Sequence, residues 1–223
     1  VVASDTVNLW TAGAISGAGA FSELETGDFL ALVQIREGAD VDAEGEVELT
    51  SNAASDVFVK SNSETYGAAT VAIGSGVSDI RPDNEIRIGA NADLTAGGDL
   101  LITAGGDEDL RPDDHDMEVR VDNFAGSAIP IDNLDAFAIL LTENTVDIGD
   151  GAFVESYQDI RIVAEDTAAA DLVGRAKGVN WTSAIADGIN SLSGTEEPFS
   201  GTATYEGYGV IKNDATLKTG AQR

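Results

Sequence analysis

The feature that most constrains this chain is an internal repeat. Residues 84–104 read NEIRIGANADLTAGGDLLITA, and residues 144–164 read NTVDIGDGAFVESYQDIRIVA, 60 positions later and without a gap. Seven of the 21 positions are identical: Asn84 with Asn144, Ile88 with Ile148, Gly89 with Gly149, Ala92 with Ala152, Asp99 with Asp159, Ile102 with Ile162 and Ala104 with Ala164. Ile86 answers to Val146, Leu94 to Val154 and Leu100 to Ile160, so apolar character survives where identity does not. A recurring supersecondary unit decides architecture ahead of local propensity, because each unit buries its apolar face against its neighbour. A weaker copy occupies 33–51, VQIREGADVDAEGEVELTS, offset by 53, and Ala215, Leu217 and Thr219 open another near the C-terminal end.

Within a copy the apolar residues alternate: Ile86 and Ile88, then Ala92, Leu94 and Ala96, then Leu100, Ile102 and Ala104. That is the period of a strand with one buried face. Gly89 and the pair Gly97 and Gly98 fall between the strands, where a positive φ without a Cβ penalty suits a sharp bend. Three strands and three corners predict one coil of about 20 residues, so that each 60-residue recurrence holds three coils. Residues 117–141, with alternation at Met117, Val119, Val121, Ile129 and Ile131, read as coils whose corner loops vary.

The expected fold is all-β, a right-handed parallel β-helix; an antiparallel β-sandwich is the alternative, since it too shows short strands between Gly and Asp turns. The expected organisation is β-helix over 1–166, an irregular Ala- and Gly-rich insertion over 167–207, and the start of a further repeat over 208–223. Trp181, Ala184, Ile185, Ile189 and Leu192 fall at near-helical spacing inside the insertion.

Charge limits the partners. Forty acidic residues against 12 basic ones give −28, which repels nucleic acid phosphates and anionic membrane leaflets. A saline source explains that acidity as well as any function does. There is no cysteine, so thiolate metal sites and disulfides are excluded. No apolar run is long enough to cross a bilayer, and membrane insertion is not expected. The start at Val1 carries neither a Met nor a signal-peptide apolar region, and because Ala215 to Arg223 stop in the middle of a repeat, a processed or excised piece is expected.

The phrases IRIGANADLTAGGDLLITAGGD, TVDIGDGAFVESYQDIRIVAED and DATLKTGAQR, with the irregular AKGVNWTSAIADGINSL beside them, resemble the repeat arrays of giant bacterial filamentous-haemagglutinin-like and leukotoxin-like adhesins. The resemblance covers about half the chain. It implies a long right-handed β-helix at or beyond the cell surface, a structural or adhesive role, and no catalytic residues. No secretion domain or receptor-binding tip of that family is recognisable in this sequence.

Candidate chemistry is sparse. His115 is the only histidine; among Asp113, Asp114 and Asp116 it reads as a surface residue in a polar turn. Asp107, Asp109, Asp113, Asp114 and Asp116, together with Glu108, form an acidic stretch suited to calcium, which takes six to eight oxygen ligands. It matches neither the EF-hand spacing nor the calcium-binding nonapeptide, and a solvated acidic loop is the competing reading. No other cofactor is expected. Asp99 and Asp159 are expected to cap corner amides. A polysaccharide-acting enzyme is the rival from another class, because parallel β-helices carry lyases and glycosidases, but fold analogy alone does not support catalysis and a non-enzymatic role is expected. The expected partners are a cell-surface or carbohydrate ligand and other copies stacked end to end, since an uncapped solenoid end exposes unpaired N–H and C=O groups. A self-assembling extracellular filament, sheath or surface-layer subunit is the corresponding alternative.

Overall fold

The computed structural model describes residues 2–219 except 27, 128, 166–167, 181–198, 201 and 214–215. It is all-β, without a helix among the described residues, and its sheets are mostly parallel. The helical spacing noted from Trp181 to Leu192 lies outside the described residues.

The strands fall into four successive tiers. The first holds β1 (Val2–Ala12), β2 (Ile15–Glu25), β3 (Phe29–Ile35), β4 (Asp40–Ala43) and β5 (Val47–Ser51). The second holds β6 (Ser55–Tyr66), β7 (Ala69–Ile80), β8 (Pro82–Ile88), β9 (Asp93–Ala96) and β10 (Leu100–Ala104). The third holds β11 (Asp114–Gly126), β12 (Ile129–Ile148), β13 (Phe153–Ser156) and β14 (Ile160–Ala164). In the fourth are β15 (Ala169–Asn180), the short β16 (Phe199–Ser200), β17 (Thr202–Asn213) and β18 (Thr216–Thr219).

Strands of successive tiers pair in parallel, as β1 with β6, β6 with β11 and β11 with β15. Val33 stands beside Ile86 and Ile86 beside Val146. Val41, Leu94, Val154 and Leu217 form one row, and Leu49, Ile102 and Ile162 another. The 53- and 60-residue recurrences in the sequence are therefore the strand register itself. Antiparallel pairing among the described residues is limited to β15 with β16 and the isolated Gly106–Pro112 bridge, so an antiparallel sandwich is excluded.

One expectation needs correction. The three strands read as a complete coil of about 20 residues are only part of a tier, and strands of successive tiers pair at offsets from 53 residues, as Phe29 with Pro82, to 65, as Phe137 with Thr202. The residues between copies are not two more coils. They form two long strands per tier, β6 and β7 in the second, which the Gly67–Ala68 turn sends back on one another in different sheets, so that they pack face to face. The alternation over 117–141 belongs to β11 and β12 of a single tier. A second difference concerns 167–207, expected as an irregular insertion: Ala169–Asn180 pairs with β11 and Thr202–Asn213 with β12, both continuing the sheets.

The corner glycines also act otherwise than expected. Gly89, Gly97 and Gly98 do not have positive φ; that conformation belongs to Gly38, Gly105 and Gly151. At Gly97 the reason is close approach, since a Cβ there would lie 2.2 Å from the Glu44 carbonyl oxygen of the tier below. Asp99 does cap a corner amide, but that of the next tier: Asp159 N–H donates to Asp99 Oδ1 at 3.1 Å.

Each tier has two cores. Ile86, Ile88, Leu94, Leu100, Ile102, Val146, Ile148 and Val154 fill the half enclosed by β8, β9, β10 and their counterparts. Val57, Val59, Ile80, Met117, Val119, Val121 and Leu140 fill the part of the long-strand half nearest the seam between them. Farther out the long strands bury small and polar residues, among them Ser61, Ser63, Thr65, Thr70 and Ala20.

Candidate functional site

The acidic stretch follows β10, where the chain leaves one half of the tier for the other. Its first part is a small self-closed loop. Asp107 Oδ1 accepts the N–H groups of Asp109 and Arg111, each at 2.9 Å, and Asp107 N–H donates to the Arg111 carbonyl at 3.0 Å. Arg111 reaches back to Asp109 at 2.9 Å. Both carboxylates expected to bind calcium are thus engaged by their own loop.

Strand alternation separates the rest. Asp113 turns inward, where its Oδ2 accepts Ala53 N–H at 2.9 Å and Asn84 Nδ2–H at 2.8 Å. Asp114 and Asp116 point outward on β11. Asp116 stands in register with Asp56 and Asp171, and desolvation followed by those two like charges raises its pKa. The five residues do not converge, and among the described residues no group of three or more His, Asp and Glu is placed to hold a metal ion.

His115 is not a surface residue. It is fully buried, with Nδ1 2.8 Å from Ser55 Oγ and Nε2 without a hydrogen-bond partner. The reason is parity: β11 buries its odd-numbered positions, and His115 shares that face with Met117, Val119 and Val121. Burial pushes its pKa down to about 4, so it is neutral at pH 7. Ser55 is buried as well, so the pair offers no nucleophile to a solvent-borne substrate.

Beside this pair a polar chain runs along the stacking direction. Asn84 Nδ2 donates to Asn144 Oδ1 at 2.7 Å, and Asn144 Nδ2 donates to the Glu165 carbonyl at 2.7 Å. Gly105, at φ 81°, sits under the Asn144 amide so closely that a Cβ would lie 2.3 Å from Nδ2. The chain occupies the seam between the two cores, where it engages the Asn84 and Asn144 side-chain NH2 groups and the Ala53 N–H and leaves Asn84 Oδ1 without a partner.

The outer side of the same seam carries a surface concavity of about 400 Å³, lined by Asp28, Arg81, Pro82, Asp83, Leu141, Thr142 and Glu143. Glu143 and Asp83 are register neighbours on adjacent strands. Desolvation, then Glu143 and Glu85, raise the pKa of Asp83. Arg81 is held by both oxygens of Asp79, at 2.8 and 2.9 Å. The notch therefore presents three carboxylates and one paired guanidinium. Its acids were not singled out from sequence, although a signal existed: each copy places an acid, Asp83 or Glu143, directly before its identical asparagine. Chemically the notch suits a polar or cationic group better than an anion.

The chain matches no protein-family model, no curated protein and no solved structure.

Proposed function

We propose that this chain is a section of a right-handed parallel β-helix in a large secreted or cell-surface bacterial repeat protein, with a structural or adhesive role rather than a catalytic one. The observation that carries the reading is the register: residues 53 and then 60 apart stand side by side in parallel, row after row, in separate sheets. Such stacking has no built-in stop, and it supports extension by further repeats. The first tier agrees with this. Val33, Ile35, Val41, Val47 and Leu49 are only partly buried, whereas Ile86, Ile88, Leu94, Leu100 and Ile102 beside them are fully buried, so another tier would complete their burial.

The size of the tier favours one form of that role. Four tiers span only about 19 Å along the stacking direction at ~4.8 Å each, whereas the 20 residues of β12 have a contour of about 66 Å. A chain that spends about 60 residues on each step of height is a poor spacer and a good maker of broad faces. This supports a sheath or layer subunit over a thin stalk.

Small-angle scattering tests the architecture. A flattened particle, much broader than it is tall, is the expected result, with or without calcium; an isotropic globule would overturn it. Antibodies against the chain should label intact, unpermeabilised source cells, and labelling only after permeabilisation would sink the surface assignment.

A further inference from the structure

The two broad faces of the long-strand half differ in charge. On the β1–β6–β11–β15 face the outward rows include Asp56, Asp116 and Asp171, then Lys60, Arg120 and Arg175, so charge is stacked on charge. On the β2–β7–β12 face the outward rows from Ile15 and Ala69, through Gly17, Val71 and Ile131, to Gly19, Ile73 and Asn133 carry no charge; Phe21 and Ser75 follow in a row that ends on Asp135. Ile15 is 81% exposed, Phe21 61% and Ile131 58%, and Val71, Ile73 and Phe137 are exposed too. Charge returns at Asp135, in the row of Phe21 and Ser75, and at Glu23 in the next row toward the seam.

An uncharged apolar sheet face on a chain of net charge −28 is not accounted for by folding. Its inward neighbours Ala18, Ala20 and Ala72 already form the buried side. Outward apolar residues of this number contribute nothing to that core, and contiguous exposed apolar patches on soluble proteins mark interaction surfaces. The surface is a stack of parallel strands and not a pocket, which suits another sheet laid face to face about 10 Å away.

We infer that the β2–β7–β12 face pairs laterally with the same face of a second copy of this chain. Charge selects that occupant. On the opposite face two copies would bring the Asp56, Asp116 and Asp171 rows together, whereas the rows from Ile15 to Ile73 meet without carboxylates. A cationic partner would be drawn to the acidic surfaces instead, and an anionic lipid surface would be repelled. A two-fold contact between identical uncharged patches is self-complementary and closes on itself. The inference rests on the sheath or layer reading, and it supplies the lateral contact that such an assembly needs beside end-to-end stacking.

The patch sets the strength. Three tiers and about nine residues per strand give on the order of 400 Å² per copy, about half of a standard interface, so one chain pairs weakly and additional tiers strengthen the contact. Salt strengthens it too, by screening the repulsion between the two net charges.

Sedimentation equilibrium of the full chain, up to millimolar concentration at low and high salt, tests this. A closed monomer–dimer equilibrium that tightens with salt is expected. Ile73→Glu, at an exposed position on the central strand, should weaken it at least tenfold, while Val173→Glu on the opposite face leaves it unchanged. A chain that stays monomeric throughout, or self-association indifferent to Ile73→Glu, would each overturn the proposal. Binding of the monomer to neutral phosphatidylcholine vesicles without dimerisation would overturn it in favour of a lipid surface. Scattering from the Ile73→Glu monomer separates the two levels: a flattened particle leaves the stacked-tier architecture standing whatever becomes of the pairing, and a globule removes both.

Discussion

The two halves of each tier are held together differently. The three-strand half is filled by Ile, Leu and Val stacked like on like, and those side chains exclude water by volume. The outer long-strand half is thin. There Ser61 Oγ donates to the Ala20 carbonyl at 2.7 Å, Ser63 Oγ donates to Asn123 Oδ1 at 2.8 Å, and the Thr70 and Ser127 hydroxyls meet at 2.8 Å. Gly74 and Gly76 allow the close approach: a Cβ at Gly76 would lie 2.8 Å from Val119 Cγ1 and at Gly74 2.8 Å from Val121 Cγ1. One half is specified by what fills it and the other by what is missing. A stacked tier can therefore lengthen its cross-section without a proportionate aliphatic core where buried hydroxyls such as those of Ser61, Ser63 and Thr70 find polar partners.

This contrast can be broken from either side. The largest effect is expected in the aliphatic half: Ile102→Asp places an unpaired carboxylate at a fully buried position, costs several kcal/mol, and should abolish the cooperative melting transition. A wild-type melting curve for that variant would refute the apolar ladder.

The seam comes next. The pKa of His115 lies at about 4 in the fold against an ordinary 6.5, so the unfolded chain binds the extra proton first. The stability tied to the neutral ring is complete above pH 6.5 and is lost by about 1.4 kcal/mol per pH unit as pH falls toward about 4. Burial raises the pKa of Asp113 and so acts in the opposite sense, favouring the fold as pH falls. His115→Gln should thus make denaturant stability rise less steeply from pH 4 to 6.5, and an unchanged slope would show that the ring does not govern it.

In the thin half, Gly76→Ala should cost about 1–3 kcal/mol by pushing the facing sheets apart, an overpacking effect readable from the urea midpoint. The smallest change is Ser61→Ala, expected to cost about 0.5–1.5 kcal/mol through the lost hydrogen bond. If that substitution proved stabilising, the hydroxyls would be tolerated rather than required.

Legibility followed the same division. Ile86 with Val146, Leu94 with Val154 and Val41, and even Leu217 at the far end were paired from the sequence in the register the strands adopt. Large aliphatic residues at alternate positions repeat visibly because their burial depends on volume. The long strands were misread because Ser, Thr, Gly and Ala inward positions carry no hydropathy period, so the tier seemed to close after three strands. His115 and Asp113 were misplaced for a related reason. Among acidic neighbours they read as a polar turn, and only the strand parity set by Met117, Val119 and Val121 turns them inward. The notch at Asp83 and Glu143 joins residues 60 apart in sequence, which become surface neighbours only through the strand register.

By itself the sequence determined the parallel register and the aliphatic ladder, because a repeat buries its apolar face against its own copy and the copy fixes which residues meet. Only the tertiary structure decided the length of a tier, the polar seam with its buried histidine, and the separation of a charged face from an uncharged one. Those depend on where the chain reverses and on which side of a strand each residue falls. Turn geometry and the packing of small side chains settle both, and neither leaves a period in hydropathy.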